Sequence, residues 1–88
     1  MKTREIAAKI HIETAVLEQW VEAGWLLPGD QGAEPHFSNV DLARAHLIRD
    51  LRTLGANDES IPIILDLVDQ LHGVRRLLQG VLAKTQDR

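Results

Sequence analysis

Apolar residues recur at helical spacing in four successive segments of this chain, and their pattern predicts four helices with one irregular break. Ile6, Ala7 and Ile10 make a first helix of two turns that ends near Ile10, with Thr3 as its expected N-cap. His11-Ile12 forms a turn, and Glu13 or Thr14 caps a second helix running to about Ala23. Gly24 takes the left-handed position that ends many helices, and Trp25-Leu26-Leu27 is an apolar exit stopped by Pro28. Val16, Leu17, Trp20 and Val21 share the inner side of the second helix, while Ala15, Glu18, Gln19 and Glu22 share the outer side.

From Pro28 to Pro35 the chain collects glycine, proline and acids between apolar flanks. That composition predicts a small two-stranded wing with a flexible tip. The third helix starts at Ser38, with Asp41 three residues on in a capping-box arrangement. Its expected buried stripe is Val40, Ala43, Leu47, Ile48, Leu51 and Leu54, and Gly55 closes it, leaving Arg44, Arg49 and Arg52 largely off the stripe.

Asn57-Asp58-Glu59-Ser60 supplies caps and acids for the positive end of a fourth, longer helix, with the regular helix starting at Ser60 and Pro62 in its first turn. Ile61, Ile64, Leu65, Val68, Leu71, Leu78 and Leu82 follow a heptad-like spacing, and Ile63, Leu67, Val74, Leu77 and Val81 widen the apolar surface beyond half the circumference. A helix apolar on so many sides needs two packing partners: its own domain, and either a second copy or another protein. Ile64, Val68, Leu71, Arg75 and Leu78 are the candidate packing positions, and a homodimer is the expected state. Acids (Asp58, Glu59, Asp66, Asp69) lead the helix and bases (Arg75, Arg76, Lys84) follow, which fits the helix dipole and would let two copies pair antiparallel.

With 88 residues there is room for one domain, 1–88, made of a part over 1–56 and a long helix over 57–84. The hydrophobic fraction of 44% and charged fraction of 26% are ordinary for a soluble globular domain. The absence of cysteine excludes disulfides and thiolate metal sites and suits a reducing cytoplasm. No apolar run approaches the roughly 20 residues that span a bilayer, so a cytoplasmic protein is expected.

Charge is informative by position. The net charge is -3, but between Lys9 and Arg44 there is no Lys or Arg at all, while Glu13, Glu18, Glu22, Asp30, Glu34 and Asp41 all fall inside. Affinity for nucleic acid comes from Lys and Arg neutralising phosphates, so this segment argues against DNA binding. No residues are expected to bind a metal or a cofactor: His11, His36, His46 and His72 are scattered without ligand spacing. No phosphate loop, no nucleophile with a base at motif spacing and no paired-carboxylate pattern is present, so the chain reads as a non-enzyme.

Helix, turn, helix, wing, helix, long helix is the layout of the MerR-type winged-helix domain. The chain resembles that family in Gln19-Trp20-Val21-Glu22-Ala23-Gly24-Trp25-Leu26-Leu27-Pro28, in Phe37-Ser38-Asn39-Val40-Asp41-Leu42 and in Leu54-Gly55. The resemblance implies an all-α fold with a small β wing: a winged helix-turn-helix followed by a long C-terminal helix. The family's arginine positions fall instead on Ala15, Glu18 and Glu22, its outward tyrosine on Gln19, and its wing arginine on Pro35. Within the superfamily the chain is most similar to the chaperone modulatory protein CbpM family. That likeness runs through W-V-E-A-G-W-L-L-P, D-L-A-R-A-H-L-I-R-D-L-R and L-G-A-N-D-E-S-I-P-I-I-L-D-L-V-D-Q-L-H-G-V-R-R-L-L. It implies a regulator that binds the J domain of a CbpA- or DnaJ-like co-chaperone and inhibits its action on a DnaK-type chaperone. The alternative is a MerR-type DNA-binding transcriptional regulator.

J domains carry a basic helix, so an acidic surface is an apt partner for one. Glu18 and Glu22, spaced i,i+4 without a basic sequence neighbour, are the first candidate contacts, and Asp66 and Asp69 the second. Trp20 is expected in the core. Trp25, just beyond a helix end, is either packed or a partly exposed anchor, and it is included among the candidate partner-binding residues.

Overall fold

The computed structural model describes residues 1–31 and 34–86. Helices α1 (Thr3–Lys9) and α2 (Thr14–Glu22) are followed by strands β1 (Gly29–Gln31) and β2 (Glu34–His36), then by α3 (Asn39–Thr53) and α4 (Ser60–Gln86). The strands form an antiparallel hairpin in which Gly29 faces His36, Asp30 faces Pro35 and Gln31 faces Glu34. This is the expected all-α class with a β wing; the expected flexible wing tip, at residues 32 and 33, lies outside the described residues. Contact density divides the chain into two compact units, Met1–Asn57 and Asp58–Arg88.

In the first unit, α1, α2 and α3 all end in the same way. After α2 the amide of Trp25 donates to the carbonyl of Trp20 and that of Gly24 to Val21, while Gly24 sits at φ 81°. After α3 the amide of Ala56 donates to Leu51 and that of Gly55 to Arg52, with Gly55 at φ 101°. These are Schellman caps, in which a left-handed residue lets two amides turn back onto the last helical carbonyls. At α1 the same bonds run from Ile12 to Ala7 and from His11 to Ala8, with His11 itself at φ 57°. A residue with a Cβ is sterically strained there where glycine would not be, so the turn between α1 and α2 is formed against a local penalty.

The helix starts are less uniform. At α3 the expected capping box is present: the amide of Ser38 donates to Asp41 Oδ2 at 2.8 Å, and the amide of Asp41 donates to Ser38 Oγ at 3.2 Å. Ser38→Ala should cost about 1 kcal/mol, measured as a lower urea midpoint with unchanged m-value. At α1 and α2, by contrast, the caps are Lys2 and Glu13, and neither makes a side-chain cap bond. Thr3 is already the first helical residue, which corrects its expected capping role, and Thr14 likewise lies inside α2. Pro62 lies in the first turn of α4, where its missing amide breaks no helical bond.

Ile6, Ala7 and Ile10 of α1, Leu17 and Trp20 of α2, Trp25 and Leu26 of its exit, Phe37 after the wing, and Ala45 and Ile48 of α3 are buried. The buried line of α3 differs from the expected stripe. Val40 and Leu54 are 76% and 84% exposed and Ala43 is exposed as well, and the line through Ala45 and Ile48 is rotated by roughly a third of a turn from the apolar centroid. The reason lies in the two arginines that this rotation brings inward. Arg44 Nε donates to the carbonyl of Trp25 at 2.7 Å, and Arg49 Nη1 donates to the carbonyl of Ile10 at 3.0 Å. Both acceptors lie where other helices end: Ile10 is the C-cap of α1, and Trp25 follows the C-cap of α2, Ala23, by two residues. A charged donor here holds α3 to the exits of α1 and α2 more firmly than two exposed methyl groups would. Arg49→Met, which keeps the aliphatic stem, should therefore lower stability by about 1.5 kcal/mol, read from chemical unfolding. A neutral result would show that the carbonyl of Ile10 is equally well served by water.

Candidate functional site

Helix α2 is nine residues long and amphipathic, and its outer side is what the first unit offers at the helix-turn-helix position. Leu17 and Trp20 hold its inner side in the core, with Val16 and Val21 half-buried beside them. That anchoring leaves Ala15, Glu18, Gln19 and Glu22 exposed on the outer side. No hydrogen bond or ion pair reaches Glu18 or Glu22 among the described residues.

A cleft opens beside the first turns of this helix. It is lined by Lys2, Thr3 and Arg4 from the start of the chain, Thr14 and Glu18 from α2, and Glu34 and Pro35 from the wing. Lys2 Nζ lies 3.6 Å from Glu34 Oε2, and both side chains are mostly exposed. A pair so open to water adds little stability and is easily displaced. The cleft lining thus includes two bases and two acids, with Lys2 paired to Glu34. Glu22, one turn further along α2, is not part of that lining. Lys2, Arg4 and Glu34 line this cleft with Glu18, a meeting that pattern reading misses because they join α2 only through the fold.

Trp25 is corrected from a partner anchor to a core residue. It is 8% exposed, and its ring lies 6.5 Å from that of Trp20, tilted by 35°. The Schellman cap explains this placement: Trp25 and Trp20 are the two positions whose side chains meet in that motif. The signal is therefore present in the spacing Trp20, Gly24, Trp25.

On the second unit, Asp66 and Asp69 are exposed, and Asp66 Oδ2 accepts from Gln70 Nε2 at 2.9 Å. They lie on α4, in the second compact unit, and so on a different element from Glu18 and Glu22. Of the expected packing positions, Ile64 and Val68 are half-buried, and Leu71, Arg75 and Leu78 are exposed. Leu67, Val74, Leu77, Val81 and Leu82 are exposed with them. Among the described residues no group of His, Asp or Glu is placed to hold a metal ion, and no helix is long and apolar enough to cross a membrane.

The element order and the wing register suit one family. Residues 1–68 match the model described as MerR HTH family regulatory protein. This chain belongs to the MerR helix-turn-helix family. The match takes in the whole first unit and continues into α4 as far as Val68. No curated protein and no solved structure matches the chain. In this MerR-family chain, the helix that sits where such proteins read the major groove carries two carboxylates and no base on its outer side, and the wing carries Glu34 and Pro35.

Proposed function

We propose that this MerR-family chain is a non-enzymatic protein-binding regulator of CbpM type. It binds the J domain of a CbpA- or DnaJ-like co-chaperone in the cytoplasm and excludes the DnaK-type chaperone that would otherwise dock there. The observation that carries the reading is the exposed outer side of α2, where Ala15, Glu18, Gln19 and Glu22 occupy the groove-reading position without a single Lys or Arg. A carboxylate at that position repels phosphate and attracts the basic helix of a J domain. Arg44 and Arg49 of α3 are turned to backbone carbonyls of the same unit, those of Trp25 and Ile10. Self-association through the exposed apolar side of α4 belongs to the same reading.

Titration calorimetry of the full chain against an isolated J domain tests the proposal. Saturable binding that weakens as salt rises is expected. The competing reading, a DNA-binding transcriptional regulator, is favoured by the family match and by Lys2 and Arg4 beside α2. A mobility shift on promoter DNA that survives about 0.15 M salt, together with no heat against the J domain, would overturn the proposal in favour of that one.

A further inference from the structure

Leu27 and Val40 are 80% and 76% exposed. Singly exposed apolar residues are ordinary on a protein surface, but two contacts make this pair neighbours. Gly29 faces His36 in the hairpin, and continuing that register by two residues sets Leu27 level with Ser38, the N-cap of α3. Val40 follows Ser38 by two residues. Further along α3, Arg44 Nε donates to the carbonyl of Trp25, and Val40 lies one turn before Arg44 on the same side of the helix. The exit from α2 therefore runs along the first turn of α3 and carries Leu27 past Val40.

Strand alternation joins this pair to the acidic cleft. Phe37 is buried, so His36 and Glu34, which alternate with it, are turned outward, and both are exposed. Gly29 pairs with His36, and Leu27, two residues before Gly29, shares its face of the hairpin. The outward face of the wing thus runs from Leu27 through His36 to Glu34, which lines the cleft with Glu18 of α2. One strip has an apolar end and an acidic end. All of it comes from the segment between Lys9 and Arg44, which holds no Lys or Arg, and Lys2 and Arg4 join it at the cleft. Phosphate gains nothing from two apolar side chains, whereas a protein helix that carries bases and an apolar side chain complements both ends.

We infer that Leu27 and Val40 are the apolar anchor of the J-domain interface, receiving an apolar side chain of the basic helix whose charges meet the acids of α2. Interfaces draw most of their binding energy from a few apolar anchors of this kind, while charge at the rim steers approach. Trp25 is buried and does not fill the role; the exposed apolar position of the exit is Leu27. The inference rests on the J-domain reading of the proposed function.

Titration calorimetry of Leu27→Ser and Val40→Ser against an isolated J domain at two salt concentrations tests it, with urea unfolding as a control. Both side chains are exposed, so the urea midpoints should stay at the wild-type value. Leu27→Ser should weaken binding roughly 10-fold, Val40→Ser somewhat less, and both should make the heat-capacity change of binding less negative. The dependence on salt should remain that of the wild type, which sets this loss apart from the one produced by reversing Glu18 and Glu22. Leu27→Met, which keeps an apolar side chain, should bind as the wild type does. If the wild type binds and both serine variants keep its affinity, the anchor is overturned and J-domain binding stands, whereas a wild type that does not bind overturns both. Unchanged affinity with a lower mass in light scattering would assign the pair to a contact between copies and overturn the anchor as well.

Discussion

Trp20→Ala lowers the stability of the first unit by about 3 to 5 kcal/mol, the largest loss expected from any one substitution in this chain. Trp20 is 4% exposed, and its removal takes away a large indole that neighbouring side chains cannot move to replace. The damage is compounded by its place in the helix cap, because the ring of Trp25 packs on it at 6.5 Å. With Trp20 gone, the exit of α2 loses the contact that fixes its direction, and the carbonyl of Trp25 no longer meets Arg44 reliably. A domain of this size has a total stability of about 5 to 15 kcal/mol, so the variant sits close to its unfolding midpoint. Urea unfolding followed by circular dichroism measures the loss. The fluorescence of the remaining Trp25 should shift to the red as it gains solvent. Trp20→Phe should keep a good part of the stability, and a loss below about 1 kcal/mol for Trp20→Ala would contradict a core role.

The double reversal Glu18→Lys with Glu22→Lys weakens J-domain binding by roughly 10- to 100-fold, or about 1.4 to 2.7 kcal/mol. Both side chains are exposed and on the outer side of α2, so the change leaves the buried side of the helix untouched. Glu18 lines the cleft with Lys2 and Arg4, whereas Glu22 lies outside that lining, and the single changes Glu18→Lys and Glu22→Lys apportion the loss between the two positions. The loss should shrink as salt rises, because screening removes the same attraction that the substitutions remove. Calorimetry at two salt concentrations separates the possibilities. Unchanged affinity for the double variant would rule out this face, and Asp66 and Asp69 would be reversed next.

The backbone around the site is legible in the amino-acid sequence, and the reasons are local. Gly24 and Gly55 sit where helical periodicity stops, and both take the left-handed conformation that only glycine adopts without strain. Ser38 and Asp41 are three residues apart, which is the reach of a capping box. The inner and outer sides of α2 follow from its spacing alone. Trp25 is recoverable too, because a Schellman cap ties its position to that of Trp20. Less can be read of α3. Its apolar residues point to a stripe that includes Val40 and Leu54, yet a side chain's burial depends on which neighbour needs a partner. The unmet carbonyls of Ile10 and Trp25 lie 39 and 19 residues from the arginines that reach them.

By itself, the sequence determined the helices, their ends, the wing and the absence of Lys and Arg between Lys9 and Arg44, because each is set by contacts within a few residues or by composition. Tertiary structure alone decided the rotation of α3 and which distant residues line the cleft beside Glu18. Lys2, Arg4 and Glu34 meet α2 across a fold that closes distant segments together, and no local periodicity records such a meeting. The acidic helix of the sequence is, in three dimensions, an exposed acid pair of which one member lines a cleft with Lys2 and Arg4 and the other does not.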